Sequence, residues 1–395
     1  MGGKIFSVPK GNQPALLTPR MSLNDYVRTR AFCISKLQQA FKEVITPPEA
    51  PGKLDFGDID FLTQAFLPKY EWKDVGQLLQ ARRSSKNGDT CSFAVAIPPS
   101  TPNDDSKNDD NSETYAQVDI HICHPGFLEW ECLLDSYGDM WQIVGKFLRP
   151  LGFTATDKGL HLRIEEIEPW DRTFSMVYLS HNVTDVLRFL GLDFDHFNRG
   201  FETVEELYGW CAGGKYFHLD AINTTTSNDR QRMRKRPMFR NFIDIWAVQN
   251  SHIWRDKVLP QRSEVARDAL VHFGKQTEYD EKITVWGLAK EEEKLWGEVA
   301  SVIPVQSPTS LRLVLRGLKR WVGFTANVEN SPVKPILRTE PEMELDHQPR
   351  WASQIRAEEE NSLSKDVLFE WVLEHWMEVK AMEKARVATA KAARR

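Results

Sequence analysis

The chain has 395 residues, of which 41% are hydrophobic and 11% aromatic, enough to bury at least one complete core, and at roughly 150 residues per domain it has room for two or three domains. A formal net charge of −5 argues against a uniformly basic protein that coats nucleic acid, so any polyanion has to be bound by a local basic patch. The sequence has no signal-peptide-like run at its N-terminus and no apolar stretch of roughly 18 residues, so we expect an intracellular protein of the cytoplasm or nucleus, with no membrane partner.

The first predicted elements are one helix and three strands. Ser22, with Asp25 three residues later, is a suitable N-cap for a helix that stops before Pro47. Apolar residues recur along this helix at helical spacing: Val27, Ile34, Leu37, Phe41 and Val44. Alternation of apolar and polar residues then predicts strands over 53–63, 91–97 and 115–123. The Pro-, Ser-, Asn- and Asp-rich segment 98–113 predicts a disordered surface loop between the last two strands.

From about Pro169 the signals become helical. A helix over 183–190 ends at Gly191, and Thr203 with Glu206 forms a capping box that opens the next helix. Residues 301–360 show little periodicity, and we expect them to be irregular. A final helix is predicted from about Ser364, and its apolar stripe could bind a protein partner. The stripe contains Leu368, Trp371, His375, Val379 and Met382.

Two carboxylates lie on one face of the first predicted strand. Asp58 and Asp60 are two residues apart, so in a strand they project to the same side, while Ile59 and Phe61 project to the other. Two neighbouring acids repel each other and destabilise the fold unless a cation lies between them, so a divalent metal site accounts for the pair. The alternative is a solvent-facing strand edge with no function.

A third carboxylate, Asp119, follows the same pattern on a later strand, with Val118, Ile120 and Ile122 on the opposite face. Oxygen ligands of this kind suit Mg²⁺ or Mn²⁺, and two such ions about 4 Å apart can activate an attacking hydroxyl and stabilise a leaving pyrophosphate. Gly52, Lys53 and Gly57 flank the first strand and leave room for a ligand, and Lys53 could contact phosphate. His121, Cys123 and His124 could ligate a softer metal, but no fourth ligand follows at zinc-like spacing, so we interpret them as part of a partly buried strand.

These acidic strands, downstream of the glycine pair Gly2-Gly3, resemble the signature of the DNA polymerase β-like nucleotidyltransferase superfamily over roughly the first 125 residues. The resemblance implies an α+β fold, with a mixed sheet and flanking helices, that transfers a nucleoside monophosphate from an NTP to an acceptor hydroxyl. It implies Asp58, Asp60 and Asp119 as catalytic residues and ligands of Mg²⁺ or Mn²⁺. Gly2 and Gly3 would let backbone amides approach the triphosphate, with Lys53 and Gly57 beside it.

The resulting domain prediction has four parts. We expect a nucleotidyltransferase-like catalytic domain over 1–165, a mostly helical domain over 166–300, an irregular linker region over 301–360, and a C-terminal helix with a basic tail over 361–395.

One segment concentrates positive charge in this acidic chain and could hold nucleic acid or nucleotide phosphates. Its basic residues are Arg230, Arg232, Arg234, Lys235, Arg236 and Arg240. A charged surface helix that pairs with the chain's many acids explains the segment equally well. The segment slightly favours an RNA 3′ end as the acceptor over a protein or a small molecule.

A second hypothesis is a non-catalytic module of the same fold that senses nucleotides or binds nucleic acid. Gly2-Gly3 lies about 55 residues before Asp58, much further than is usual in that superfamily, and this distance motivates the alternative. The observation that discriminates the two hypotheses is whether the three carboxylates converge beside an open cleft, and convergence without a glycine-lined phosphate pocket would favour the non-catalytic module.

Overall fold

A computed structural model describes residues 3–9, 11, 13–99, 113–223, 226–254, 257–258, 260–325, 333–343, 351–355 and 363–392. The chain forms two compact units, 1–279 and 280–395. The division into four parts expected from the sequence remains a prediction.

The first half of unit 1 contains seven strands and four helices among the described residues. Their bounds are β1 Met21–Ser22, α1 Leu23–Leu37, β2 Val44–Ile45, β3 Asp55–Phe56, β4 Asp58–Thr63, α2 Trp72–Leu78, β5 Arg83–Asn87, β6 Thr90–Ala96, β7 Tyr115–Ile122, α3 Leu128–Asp135 and α4 Met140–Leu148. Five of the strands form a sheet in the order β2-β4-β7-β6-β5. Because β4 and β7 run parallel while the other neighbours are antiparallel, the sheet is mixed, and the α+β class with a mixed sheet is confirmed at this level.

The two faces of this sheet are covered differently. Ile59, Phe61 and Val118 are buried on one face against α1 and α2, within a single apolar cluster. On the opposite face, Leu62 packs against Leu128 of α3. The acids of β4 and β7 project to this second face, because strand side chains alternate.

The first helix begins as predicted and ends earlier. The hydroxyl of Ser22 accepts a hydrogen bond from the backbone N–H of Asp25, which confirms the N-cap. The helix stops at Leu37, so the prediction that Phe41 and Val44 continue it was wrong: Phe41 pairs with Phe66 in an isolated bridge and Val44 lies in β2. Val27 is exposed, because the buried stripe of the helix consists of other residues, Tyr26, Thr29, Cys33 and Leu37.

The predicted strands are present, with one interruption. The segment 53–63 forms two strands, β3 and β4, separated at Gly57. The strands expected over 91–97 and 115–123 are confirmed as β6 and β7. Residues 100–112 of the expected loop lie outside the described residues.

The rest of unit 1 is a small sheet followed by helices. Their bounds are β8 Phe153–Thr156, β9 Gly159–Arg163, β10 Met176–Ser180, α5 Val183–Leu190, α6 Phe194–Arg199, α7 Val204–Ala212, α8 Leu219–Asn223, α9 Ser227–Lys235, α10 Pro237–Asn241, a π-helix Phe242–Trp246, α11 Ala247–Gln249 and α12 Arg262–Phe273. Strands β8, β9 and β10 form an antiparallel sheet that the sequence did not predict. The Gly191 C-cap has φ = 69°, which suits glycine, and the Thr203 hydroxyl accepts from the Glu206 N–H, so the C-cap and the N-cap are confirmed. The reciprocal half of the predicted capping box was wrong, because the Glu206 carboxylate accepts from the backbone N–H of Glu202 and contacts His196.

Unit 2 is mainly helical. Its elements are α13 Gln276–Val302, which begins just before the unit boundary, α14 Pro308–Trp321, β11 Val322–Phe324, β12 Pro335–Leu337 and α15 Lys365–Ala392. The expectation that 301–360 is irregular was wrong for its first part: Ser307 caps α14, Pro308 occupies its first turn, and the helix buries Val314 and Leu318.

The final helix is confirmed, but its apolar stripe is used inside unit 2. Leu368 and Val379 are fully buried in the unit's core, so this face holds the unit together, and a protein partner would have to bind elsewhere on α15. Among the described residues, no helix has the combination of length and apolar character needed to cross a bilayer.

Candidate metal centre

The three predicted acids converge on the sheet. In the parallel pairing of β4 and β7, Asp60 lies directly beside Asp119, and Asp58 lies beside Gln117. One carboxylate oxygen from each of Asp58, Asp60 and Asp119 lies within 4.8 Å of the others. Two neighbouring strands therefore place three negative charges around one point, which the strand-edge alternative did not require.

The electrostatics of this cluster are unfavourable in the absence of a cation. The Asp60 side chain reaches solvent, but its carboxyl group is crowded by protein atoms. This desolvation, and then repulsion by Asp58 and Asp119, raises the pKa of Asp60 to about 8. Desolvation and Asp119 also raise the pKa of Asp58. Two unit charges about 5 Å apart repel by roughly 3 kcal/mol at an effective dielectric constant near 20, so the fully charged cluster calls for a counter-ion.

The donor set fits a divalent cation. Carboxylate oxygens are hard ligands that suit Mg²⁺ or Mn²⁺, and Asp58, Asp60 and Asp119 supply three such groups on one surface. Two further acids influence the pKa of Asp60 from outside the strands: Asp135 at the end of α3, and Glu49 in the segment before β3. Sequence reasoning missed both, because neither lies in a strand pattern.

Gln117 is the residue of this site that a sequence signal could have identified. It lies two residues before Asp119 on β7 and therefore on the same face. Its Nε2 donates to Asp119 Oδ1 and Oδ2 at 3.1 and 2.9 Å, while its Oε1 accepts the backbone N–H of Ile5 at 3.0 Å. Gln117 is buried, so it orients Asp119 and ties the N-terminal segment to the sheet.

The N-terminal segment lies along the acidic face. Gly3 adopts φ = +84°, and a Cβ on it would come within 2.1 Å of the carbonyl oxygen of Gly57. Phe6 is buried against Tyr115 and Ala94. A glycine far away in the sequence therefore contacts the residue that immediately precedes Asp58. Gly2, the other member of the predicted pair, lies outside the described residues.

Lys53 lies in the segment just before β3 and β4. Its Nζ is 2.5 Å from Glu49 Oε2 and 4.8 Å from the ring centroid of Phe56. A phosphate contact by Lys53 stays a prediction, and it would have to compete with Glu49.

A second group of possible ligands lies beyond Asp119 on β7. His121, Cys123 and Glu131 offer atoms within 4.8 Å of one another. The imidazole of His124 contacts Asp157, and its backbone N–H donates to Glu131. Both ring nitrogens of His121 already have partners, Nδ1 with Thr90 at 2.8 Å and Nε2 with Glu131 at 2.9 Å. Hydrogen bonds therefore account for this group, and they attach the end of β7 to α3.

The predicted basic segment covers α9 and α10 and divides into two sets. Arg232 is 3.4 Å from Asp229, and Arg236 is 2.8 Å from Asp139, so these two form ion pairs. Four others are exposed on the surface: Arg230, Arg234, Lys235 and Arg240. The segment therefore contains ion-paired and exposed cations, and its contact with nucleic acid or nucleotide phosphates stays a prediction.

Comparison with known proteins adds little to this geometry. No protein-family model matches the chain, and no curated protein is significantly similar to it. Among solved structures, the chain is similar to the Leishmania infantum polymerase beta in a ternary gap complex, with 13% sequence identity and a TM-score of 0.32, over 45% of this chain and 69% of that chain. Similarity at this level does not establish a common fold, so the assignment of function depends on the site itself.

Proposed function

We propose that this chain is a metal-dependent nucleotidyltransferase of the DNA polymerase β-like type, with Asp58, Asp60 and Asp119 as its catalytic, metal-binding residues. The observation that carries the proposal is the convergence of the three carboxylates, from two parallel strands in register, beside the backbone of Gly3 and Gly57. Acids this close are unstable without a cation, and proteins retain such arrangements where function requires them.

The reaction is the transfer of a nucleoside monophosphate. An acceptor hydroxyl oxygen forms a bond to the α-phosphorus of an NTP, the bond from that phosphorus to the bridging oxygen breaks, and pyrophosphate leaves with the electron pair. In this proposal Asp119, whose carboxylate accepts from Gln117, takes the hydroxyl proton. When bound at the three acids, Mg²⁺ or Mn²⁺ would neutralise the developing negative charge and lower the pKa of the acceptor hydroxyl. The backbone at Gly3 and Gly57, with Gly2 and Lys53, would lie against the triphosphate.

The acceptor is best assigned to the class of RNA 3′ ends. The exposed cations Arg234, Lys235 and Arg240 offer charge to a phosphodiester backbone in an otherwise acidic chain. A protein hydroxyl or a small molecule would not need this charge.

The test is incubation of the purified chain with each α-labelled NTP, Mg²⁺ or Mn²⁺, and either total RNA or bulk protein. The double variant Asp58→Asn, Asp60→Asn is compared with Asp195→Asn, which changes an exposed aspartate on α6. We expect label transfer by the wild type and by Asp195→Asn, and none by the double variant. The labelled fraction identifies the acceptor class.

Two outcomes contradict the proposal. Transfer that survives in the double variant would show that these acids are not the catalytic site. Metal-dependent NTP binding without any transfer would instead identify the non-catalytic, nucleotide-sensing alternative.

A further inference from the structure

A cavity in unit 1 lies between α4, the small sheet and α9, and none of the acids of β4 and β7 lines it. It measures about 250 Å³, and three arginines from three different elements line it: Arg149 after α4, Arg172 before β10, and Arg232 on α9. Apolar side chains, including Leu148, Phe153 and Leu160, also line it, together with the polar Gln142 and Thr154. The cavity therefore combines concentrated positive charge with apolar surface.

The positive charge of this cavity is only partly neutralised. Asp229 is the carboxylate shared by Arg149 and Arg232, and its Oδ2 already accepts from buried Lys146 at 2.8 Å and from Thr226. Its Oδ1 lies 3.4 Å from Arg232 and 3.5 Å from Arg149, long for hydrogen bonds. Three cations thus surround one carboxylate.

Arg172 adds a further charge, and among the residues that the structure describes its carboxylate neighbour is Glu168. Its Nη1 is 3.9 Å from Glu168 Oε1, too far for a hydrogen bond. Glu168 already accepts from Arg163 and Arg262, each at 2.7 Å. Desolvation and then repulsion by Arg232 lower the pKa of Arg149 to about 10, which is consistent with an excess of positive charge here.

A glycine makes room for the central arginine. Gly145 lies one helical turn before Arg149, and a Cβ on Gly145 would come within 2.7 Å of Arg149 Nη1. The guanidinium group therefore lies directly against the backbone of α4 at the cavity, a position that alanine would disturb without changing any charge.

We propose that this arginine pocket, formed by Arg149, Arg172 and Arg232, binds a small organic phosphate. Guanidinium groups bind phosphate oxygens through strong, paired hydrogen bonds. The apolar wall, with Trp141 at its edge, leaves space for a compact ring or chain attached to the phosphate. A cavity of about 250 Å³ has room for a small molecule that carries a phosphate, whereas a continuous nucleic-acid strand would need a longer groove. The pocket would supply an effector site that does not depend on the metal centre.

The experiment is calorimetric titration of the full-length protein with phenyl phosphate at pH 7.5 in EDTA, so that divalent ions do not contribute. Phenol and inorganic phosphate are the reference ligands. The variants are Arg232→Gln and Gly145→Ala, with Arg267→Gln as the control, because Arg267 is an exposed arginine outside the pocket. Circular dichroism establishes that each variant is folded.

We expect phenyl phosphate to bind more tightly than either reference ligand. Arg232→Gln should weaken binding by about tenfold or more, as loss of a charged hydrogen-bonding pair does, and Gly145→Ala should weaken it by several-fold. Arg267→Gln and Asp58→Asn should bind as the wild type does, which separates this pocket from the proposed catalytic site.

Several results would overturn the proposal. They are no binding of phenyl phosphate, equal binding of inorganic phosphate, or wild-type affinity in both Arg232→Gln and Gly145→Ala. Displacement of phenyl phosphate by a single-stranded RNA without terminal phosphates would identify a nucleic-acid surface in place of a small-ligand pocket.

Discussion

Gln117 donates from one nitrogen to both carboxylate oxygens of Asp119, at 3.1 and 2.9 Å. The backbone N–H of Ile5 contacts the other end of the same amide, so the amide has one orientation and presents its N–H₂ group to the acid. Asp119 is therefore held in place before any ligand arrives, as catalytic groups generally require.

Replacement of Gln117 by Met should lower kcat by about 10- to 100-fold, since a hydrogen bond to a charged group contributes about 1.5–3 kcal/mol. The Mg²⁺ concentration for half-maximal activity should rise, because Asp119 loses its orientation, while the KM for NTP changes little. Steady-state kinetics at varied Mg²⁺ measure both effects. Gln77→Met, at an exposed position on α2, is the control. If the activity of Gln117→Met fell only in proportion to the fraction of folded protein, the role of Gln117 would be purely structural.

Replacement of Asp60 by Asn should stabilise the metal-free protein at alkaline pH. The folded-state pKa of Asp60, about 8, lies above the ordinary value of 3.8. At a pH between these two values, the folded protein keeps a proton on Asp60 that the unfolded chain has released. The wild type therefore loses stability as pH rises from about 4 to 8, and Asp60→Asn removes this contribution.

Urea unfolding in EDTA at pH 6.5 and 8.5 checks this prediction. The midpoint of the wild type should fall between the two pH values more than that of Asp60→Asn, and added Mg²⁺ should raise the midpoint of the wild type alone. Identical pH dependence in the two proteins would show that Asp60 is not under electrostatic strain.

The sequence predicted the acids of the site better than their surroundings. The alternation in β4 and β7 was sufficient to place Asp58, Asp60 and Asp119 on strand faces, because side-chain direction in a strand is a local property. The register of Asp60 with Asp119 joins residues 59 positions apart and depends on the whole sheet. Glu49 and Asp135 approach from outside the strands, so no local pattern marks them.

The missed elements have different causes. Strands β8 to β10 contain only four or five residues each, too few for alternation to stand out from chance. Helix α14 did carry a signal, since Ser307 and Pro308 begin it and Leu311, Val314 and Leu318 follow at helical spacing. The basic residues between these positions weakened the apparent periodicity.

Replacement of Gly3 by Ala should abolish transfer activity. The new Cβ would lie 2.1 Å from the carbonyl oxygen of Gly57, so the N-terminal segment would have to move away from the acidic strand. Gly11→Ala is a matched control, because Gly11 also has a positive φ but its Cβ would meet no atom within 4 Å. In both variants alanine in a left-handed conformation destabilises the fold by about 1–2 kcal/mol. Assays of NTP binding and transfer should therefore show a loss in Gly3→Ala that Gly11→Ala does not share. Equal activity in the two variants would contradict a role for the contact between Gly3 and Gly57.

Replacement of Lys146 by Met should destabilise unit 1 by about 1–3 kcal/mol at pH 7, because the buried Asp229 carboxylate loses the hydrogen bond from its closest cation while Arg149 and Arg232 remain within 3.5 Å. Burial alone would raise the pKa of Asp229, but hydrogen bonds from Lys146 and Thr226 outweigh burial and lower it to about 2. The pair therefore contributes stability above pH 4 that is lost as pH falls toward 2.

Denaturant unfolding at pH 7 and pH 3 measures the free energy of unfolding of Lys146→Met and the wild type. The difference between the two proteins should be smaller at pH 3. Lys158→Met, at an exposed lysine, should have no such effect, and a deficit independent of pH would show that packing alone is lost.

Replacement of Gly317 by Ala should separate α14 from α15 in unit 2. A Cβ there would lie 2.7 Å from Val379 Cγ1 and 3.0 Å from the Val379 carbonyl oxygen, so the two helices cannot keep their distance. Overpacking of this kind costs about 1–3 kcal/mol, which exceeds the gain of up to about 1 kcal/mol from replacing a helical glycine by alanine.

Gly297→Ala on α13 is the control. Its Cβ would meet no atom within 4 Å, so this variant should be more stable than the wild type. Thermal unfolding of both variants measures the difference. Stabilisation by both substitutions would show that the close contact between Gly317 and Val379 does not exist in solution.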